Sequence, residues 1–479
     1  MLTVSFRGAA QEVTGSCHVL EADGRRIALD CGLFQGDRKH DHEKNRTFDM
    51  DPGSLHAVVL SHAHIDHCGR LPMLVARGFD GPIYSTPATR DLCALLLADS
   101  AHIQQEDTKY LNKKLQRKGK PTVSPLYEEH DAHAALHAFH SVSQERWFWV
   151  TRRLRVRFHH AGHMLGSSSV EAVYNPPDSD KPIRLCFTGD IGRPDMPILR
   201  DPKKFESYDY VITESTYGNR VHPPSGDLKG ALARIVAETS ERGGKVIIPA
   251  FSVGRTQVIV YYLHQLMREG TLQPLPIYVD SPLAVNATEV FRLHPELYDR
   301  EAKSFQQITG DILGCSSCTY VQSVDESKAI NKYKNPAIII SASGMCEAGR
   351  IRHHLKNNVE NENNTILVVG FMAAHTLGRR IVEKQPKLNI FGKEYKLKAR
   401  VETLNGFSAH ADHEELRGLL KPHAAGCKGA FLVHGELDQM QGMRDMMRED
   451  GYRDIYMPDR GETFELGHKG ARQIESGGD

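Results

Sequence analysis

Between Leu60 and Gly69 the chain reads LSHAHIDHCG, which puts three histidines and one aspartate into positions 62–67. In an extended loop, residues two apart point the same way, so His62 and His64 face one side. Asp66 and His67, just beyond them, face another. Imidazole and carboxylate are ligands of Zn2+, and a catalytic zinc keeps one position open for water. Two such ions about 3.5–4 Å apart can share a hydroxide and steady a phosphoryl transition state. Each ion needs more ligands than the loop supplies. The rest of the chain offers them where short apolar runs, read as buried strands, stop at a residue able to do chemistry. RIAL stops at Asp30, HAVVLS at His62, IRLCFTG at Asp190, YVIT at Glu214 and GAFLV at His434. His163 follows the run LRVRF, in HHAGHMLGSS. Loops after strand C-termini are where α/β proteins place their sites. The expected ligand set is His62, His64, His163 and Asp190 for one ion, and Asp66, His67, Asp190 and His434 for the other. Asp190 bridges, which gives two Zn2+ per chain; manganese suits similar ligands.

The elements that must position these residues divide unevenly along the chain. Asp30 to Glu214 fall in the first half, and His410 and His434 near the end. Glu214 and His410 are separated by about 195 residues, one domain's worth. That segment alternates apolar runs (KVIIPA, PIYV, PAIIIS, TILVVG) with helical patterns such as GALARIVAETSERGG, as βα units with a parallel sheet do. The simplest architecture is a site-bearing domain interrupted by an inserted parallel-sheet α/β domain. The expected boundaries are 1–216 and 400–479 for the two parts of the host, with the insert at 217–399.

Composition narrows the function classes. The chain has 479 residues, 40% hydrophobic and 25% charged, as soluble globular proteins do. No apolar run reaches the roughly 18 residues a membrane span needs, and MLTVSFRGAA reads as a first strand rather than a signal peptide. Lys plus Arg (60) balance Asp plus Glu (60), so any nucleic acid must be held by a local patch or by metal ions. The nine cysteines fit free thiols in a reducing compartment. The lone Cys315-Ser-Ser-Cys318 reads as loop cysteines. KYLNKKLQRKGKP (109–121) reads as a solvated helix end and linker. His130, His133, His137 and His140 share one face at helical spacing, which packing between helices explains.

The motifs carry a family resemblance. HAHIDH resembles the signature of the metallo-β-lactamase fold, whose further motifs match at Asp30 (LDCG), His163 (AGHMLGS) and Asp190 (TGDIG). TESTYG at Glu214, FSAHAD at His410 and LVHGE at His434 resemble the three added motifs of the β-CASP nucleases. IPAFSVGRTQ, DSPLA, SASGM and GFMAAHTLGRR are also family-like, so the resemblance spans almost the whole chain. It is closest to the branch of the RNA 3′-end processing endonuclease and its bacterial and archaeal relatives. It implies an αββα sandwich interrupted by a β-CASP domain, and single-stranded RNA as the partner. It also gives His410 the role of general acid, oriented by Glu214, and Asp30 that of a carboxylate steadying a ligand histidine.

Substrate contacts are expected at Ser341, Ser343 and Gly344 of SASGM, through backbone N–H groups, and at Arg255 of SVGR. Both stretches read equally well as tight turns. The expected activity is zinc-dependent hydrolysis of RNA phosphodiester bonds, cut internally, with 5′-to-3′ exonucleolysis as the alternative. A small-molecule ester or thioester hydrolase of the same fold has no use for so large an insertion. The DNA-repair branch typically lacks a histidine where this chain has His434, and non-catalytic members lose ligands that this chain keeps. The closing RQIESGGD reads as a short polar tail. The expectation is a compact, cytoplasmic bacterial or archaeal type, and the sequence leaves a homodimer open.

Overall fold

A computed structural model describes residues 1–36, 43–222, 227–370, 372–373 and 375–474. Phe371 and Ala374 of GFMAAHTLGRR and the end of the RQIESGGD tail lie outside the described residues. The chain divides into two compact units. The first comprises Met1–Met196, Asp201–Val221 and Ala409–Asp479, the second Pro197–Arg200 and His222–Ser408.

The first unit is built on two sheets. One has eight strands, ordered Gly470–Ile474, Thr463–Gly467, Leu2–Gly8, Cys17–Ala22, Arg25–Leu29, Leu55–Val59, Ile83–Ser85 and Phe139–Ser141. The other has seven, ordered Ile455–Tyr456, Gly429–Val433, Tyr210–Glu214, Ile183–Phe187, Ser168–Tyr174, Leu154–His160 and Trp147–Trp149. Alternate residues of both sheets meet in one core: Val4, Phe6, Ile27, Ala57 and Val59 from the first, Val156, Phe158, Val170, Leu185, Ile212 and Phe431 from the second. On the far side of the second sheet, Val211, Ala430 and Leu432 pack against Leu416, Leu419, Met440, Met443 and Met447 of helices His413–Leu420 and Leu437–Glu449. Period-two burial in strands and period-3.6 burial in helices account for this layering. Gly429–Val433 lies beside Tyr210–Glu214, in parallel. The late part of the chain thus completes a sheet begun before the insertion.

The second unit carries a six-stranded, all-parallel sheet, ordered Cys318–Tyr320, Ile277–Val279, Ile338–Ser341, Val246–Pro249, Thr365–Val368 and Arg400–Thr403. Its inner strands VIIP, IIIS and TILV are buried along their whole length, as strands covered on both faces are. Ile247, Ile366 and Val368 pack with Ile351, Leu355 and Ile381 of the helices. Ser281, Asp299, Ser323 and Thr376 cap helix N-termini through their side chains. Residues 400–408, expected in the closing part of the host domain, stay with this sheet because Arg400–Thr403 pairs with Thr365–Val368.

Two local expectations change. Cys315 and Cys318 form a disulfide instead of two loop thiols. The tight turn that lets Cys318 N donate to Cys315 O brings their Cα atoms to 5.3 Å, within disulfide range. The histidine stripe does not pack between helices. Helix Glu129–His137 buries Ala132 and Ala135 and leaves His130, His133 and His137 exposed, while His140 lies in the next strand.

Candidate metal centre

Each candidate ligand sits at or just beyond a strand end of the first unit. His62 and His64 follow Leu55–Val59, and Asp66 and His67 occupy the short helix Ile65–Cys68. His163 follows Leu154–His160, Asp190 follows Ile183–Phe187 and His434 follows Gly429–Val433. The loops are held by close approach. A Cβ on Gly32 would lie 1.6 Å from Asp66 O, and one on Gly192 would lie 2.0 Å from Gly162 O. Asp30 (φ 63°) and His434 (φ 52°) are left-handed, a conformation that costs a side-chain-bearing residue energy and persists where surrounding contacts impose it.

The ring nitrogens converge. His64 Nδ1 lies 3.1 Å from His62 Nε2 and 3.0 Å from His163 Nε2. His67 Nε2 lies 3.1 Å from His434 Nε2, which lies 3.4 Å from Asp66 Oδ2. Asp190 stands between the two groups. Its Oδ2 is 3.4 Å from His62 and 3.5 Å from His163, and its Oδ1 is 3.3 Å from His67 and 3.7 Å from His434. His62, His64, His163 and Asp190 form one potential cation group, and Asp66, His67 and His434 a second.

Several features fit these donors to metal ions. Asp190 Oδ1 is buried with no hydrogen-bond partner, and a buried carboxylate oxygen is costly to leave so. Burial drives His62, His64 and His163 toward the neutral form, whose lone pair binds a metal, and His64 is pushed down to about 3. Burial acts against the charge on Asp66, but the His434 contact and the nearby His67 outweigh it and hold the carboxyl below its usual range. The outer nitrogens are tied as ligand histidines require. His67 Nδ1 meets Asp30 Oδ2 at 2.7 Å, His62 Nδ1 meets Ser61 Oγ at 3.0 Å, and His434 Nδ1 meets Thr216 Oγ1 at 3.1 Å. Asp30 also accepts from Ser16 Oγ, Ser61 Oγ and Ser61 N. Sequence reasoning missed Ser16, Ser61 and Thr216. Ser61 and Thr216 stand inside quoted motifs, LSHAHIDH and TESTYG, but hydroxyls next to ligands give no periodic signal.

His410 and Glu214 form a separate pair beside this cluster. His410 Nδ1 lies 3.0 Å from Glu214 Oε2, and Glu214 Oε1 accepts the Ile191 N–H at 2.5 Å. Both carboxylate oxygens are thereby engaged, although Glu214 also lies near Asp190 and His434. His410 Nε2 points toward Asp190 Oδ2 at 3.9 Å, and 22% of its side chain is exposed. Burial opposes charge on His410, and the Glu214 carboxylate overcomes it, raising the imidazole to about 9.

The four expected substrate contacts lie in the second unit. Ser341 is buried and its Oγ donates to Asp280 O at 2.7 Å, so its side chain belongs to the fold instead of an open surface. Ser343 Oγ accepts from Ala348 N at 3.2 Å, and a Cβ on Gly344 would lie 2.9 Å from the Phe251 ring. Arg255 begins helix Arg255–Arg268 with its guanidinium 5.5 Å from the Phe407 ring. Beside them is a buried network that sequence reasoning missed. Asp280 accepts from Arg350 Nη1 at 2.6 Å, Ser327 Oγ at 2.5 Å and His354 Nε2 at 2.6 Å.

The profile of the Metallo-beta-lactamase superfamily matches residues 10–143, that of the Beta-Casp domain 256–381, and that of the Zn-dependent metallo-hydrolase RNA specificity domain 394–458. A ribonuclease of Thermus thermophilus is 34% identical over 443 residues, 92% of this chain and 94% of its own. An RNase J-like protein of Methanocaldococcus jannaschii is 30% identical, over 91% of this chain and 93% of its own. Integrator complex subunit 11 of Danio rerio is 29% identical over 96% of this chain and 74% of its own length. A solved structure of a protein of unknown function from Enterococcus faecalis covers 96% of this chain at a TM-score of 0.56 and 14% identity, which shows a shared fold. With these domains in this order and relatives matched along most of their length, the chain belongs to the β-CASP family of metallo-β-lactamase-fold ribonucleases.

Proposed function

We propose that this protein is a zinc-dependent ribonuclease that hydrolyses internal phosphodiester bonds of single-stranded RNA in processing or decay, using two Zn2+ per chain. The observation that carries the reading is the His410–Glu214 pair standing beside a buried cluster of seven ligand side chains. His62, His64, His163 and Asp190 would hold one ion, and Asp66, His67 and His434 the other. Bound there, zinc supplies Lewis acidity that activates water and neutralises charge growing on the phosphoryl oxygens. The remaining work falls to the protein. Asp30 fixes the His67 ring through Nδ1, and Ser61 and Thr216 do the same for His62 and His434. Glu214 takes the Nδ1 proton of His410 in a hydrogen bond and keeps the ring protonated near neutral pH. Nε2–H then donates to the leaving oxygen of the cut bond. Seven of the nine cysteines are free thiols, which fits a reducing compartment and supports the cytoplasm as its place of action; the Cys315–Cys318 disulfide is the exception.

The test is cleavage of an unstructured RNA labelled separately at each end, beside the matching DNA, with and without chelator. Chelator-sensitive internal fragments from RNA are expected. Mononucleotides released from the 5′ end would replace the internal cut with exonucleolysis. Failure of zinc-loaded protein to cut either polymer would remove the nuclease reading.

A further inference from the structure

We infer that the outer face of strands Trp147–Trp149 and Leu154–His160 is a second binding surface for single-stranded RNA, outside the metal centre. The inference rests on the ribonuclease reading for its choice of ligand. Residues 146–157, RWFWVTRRLRVR, hold both tryptophans of the chain together with Arg146, Arg152, Arg153, Arg155 and Arg157. Trp147–Trp149 is the last strand of its sheet. It pairs antiparallel with the next, Trp147 opposite Arg157, Phe148 opposite Val156 and Trp149 opposite Arg155. Phe148 and Val156 turn into the core. Strand alternation therefore sends Trp147, Trp149, Arg155 and Arg157 to the other face together. The guanidinium groups of Arg155 and Arg157 lie 4.4 and 4.5 Å from the Trp147 ring centre, and Trp149 is 55% exposed.

The charge on this face is only partly neutralised. Arg157 binds Glu171 at 2.7 Å, Arg184 shares that carboxylate at 3.2 Å, and Arg153 lies 3.6 Å from Asp23. Glu145 is engaged by His159 and Lys203. Arg157 also lies 3.7 Å from Glu206. Among the described residues the buried Arg155 Nε has no hydrogen-bond partner, and Arg146 and Arg152, exposed in the segments flanking Trp147–Trp149, meet no carboxylate. Charge on an edge strand guards against unwanted strand pairing, which accounts for arginines. It does not account for an indole left more than half exposed among them. Flat aromatic rings among guanidinium groups that are only partly neutralised suit one class of ligand, a polymer of flat bases and phosphates. Bases stack on indole, and phosphates pair with arginine. The strand bearing Arg155 and Arg157 ends at His160, and His163 follows six residues beyond Arg157, so at most about 20 Å of chain joins the surface to the metal centre. RNA lying along this face is held where its continuation reaches the scissile position.

The two tryptophans are the only ones in the chain, so indole fluorescence reads this surface directly. The experiment titrates zinc-loaded His410→Ala protein with a long oligouridylate and with one of a few nucleotides. Saturable quenching by the long RNA is expected. Trp149→Ala should weaken its binding about tenfold. Arg152→Gln with Arg155→Gln should lower the slope of log K against log salt by about 1.4. With His410 intact, the same variants should raise KM on long RNA and leave kcat on the short oligonucleotide unchanged. Absence of quenching, or unchanged affinity and salt slope in the variants, overturns the inference. So does a change in self-association with RNA binding intact, which would make the face a protein interface. Quenching without cleavage by native protein would sink the ribonuclease reading alone; cleavage without quenching would sink this surface alone.

Discussion

At the scale of the residue, His410 and Asp190 lie 3.9 Å apart yet are given different work. Asp190 contacts both groups of histidines, so Asp190→Ala should lose bound metal as well as cleavage. His410 contacts Glu214 and is not needed to complete either group. His410→Ala should therefore keep both ions, read by elemental analysis, while kcat falls about 10²–10⁴-fold. Cleavage at the normal rate would end its assignment as proton donor. The Glu214 carboxylate sets the second expectation. Burial lowers the His410 pKa and Glu214 more than restores it, to about 9. A general acid works only while protonated, so kcat should decline on the alkaline side. Glu214→Gln should move that decline to lower pH by more than one unit in the pH profile of kcat. Among single residues, those at the ends of apolar runs could be singled out from sequence because several such runs close on an imidazole or carboxylate, and the fold brings those side chains together. Ser61 and Thr216 were not, since their value depends on which ring they touch after folding.

At the scale of the element, the second unit's sheet depends on one buried carboxylate. Asp280 follows strand Ile277–Val279 and gathers Ser327, Arg350 and His354 from the segments around it. Asp280→Ala leaves a half-buried guanidinium and a buried imidazole without this carboxylate, and should cost about 3 kcal/mol in denaturant unfolding. Burial raises the Asp280 carboxyl, and the hydrogen bonds from His354, Ser327 and Arg350 outweigh it, leaving it below 3.8. Its stabilising share is thus complete above the unfolded value near 3.9 and is lost as pH falls through the lowered folded value. The acid side of the unfolding curve should flatten in Asp280→Asn. Apolar runs and turn residues made most of these elements visible beforehand. The histidine stripe misled, because helical spacing puts residues on one face without saying whether that face is inside. The direction of the Ser341 hydroxyl was not legible for a related reason. A small residue closing a buried strand can face a ligand or its neighbouring strand, and only the pairing with Asp280 decides.

At the scale of the whole molecule, the long gap between Glu214 and His410 was legible as an insertion because strand-like and helix-like runs filled it. Its exact end was not, since Arg400–Thr403 joins its sheet only through a tertiary neighbour, Thr365–Val368. The candidate metal ligands come from both sides of that insertion, and His67 and His434 stand 367 positions apart. Ions bound there clip distant segments together and so restrict the open chain. Removing metal with a chelator should speed amide exchange in the loops after Leu55–Val59, Ile183–Phe187 and Gly429–Val433. Exchange in the inner strand Ile338–Ser341 of the second unit should be unchanged. Equal loss of protection in both would mean the ions do not act locally.

The late arrival of strand Gly429–Val433 has a consequence for how such a protein is made. Ribosomes deliver residues in order, and Tyr210–Glu214 waits through the whole insertion for its neighbour and for His434. Until then the growing polypeptide lacks both His410, the proposed proton donor, and His434, a candidate metal ligand. On the proposed assignment, the site that would cut RNA is completed only after the whole insertion has been made.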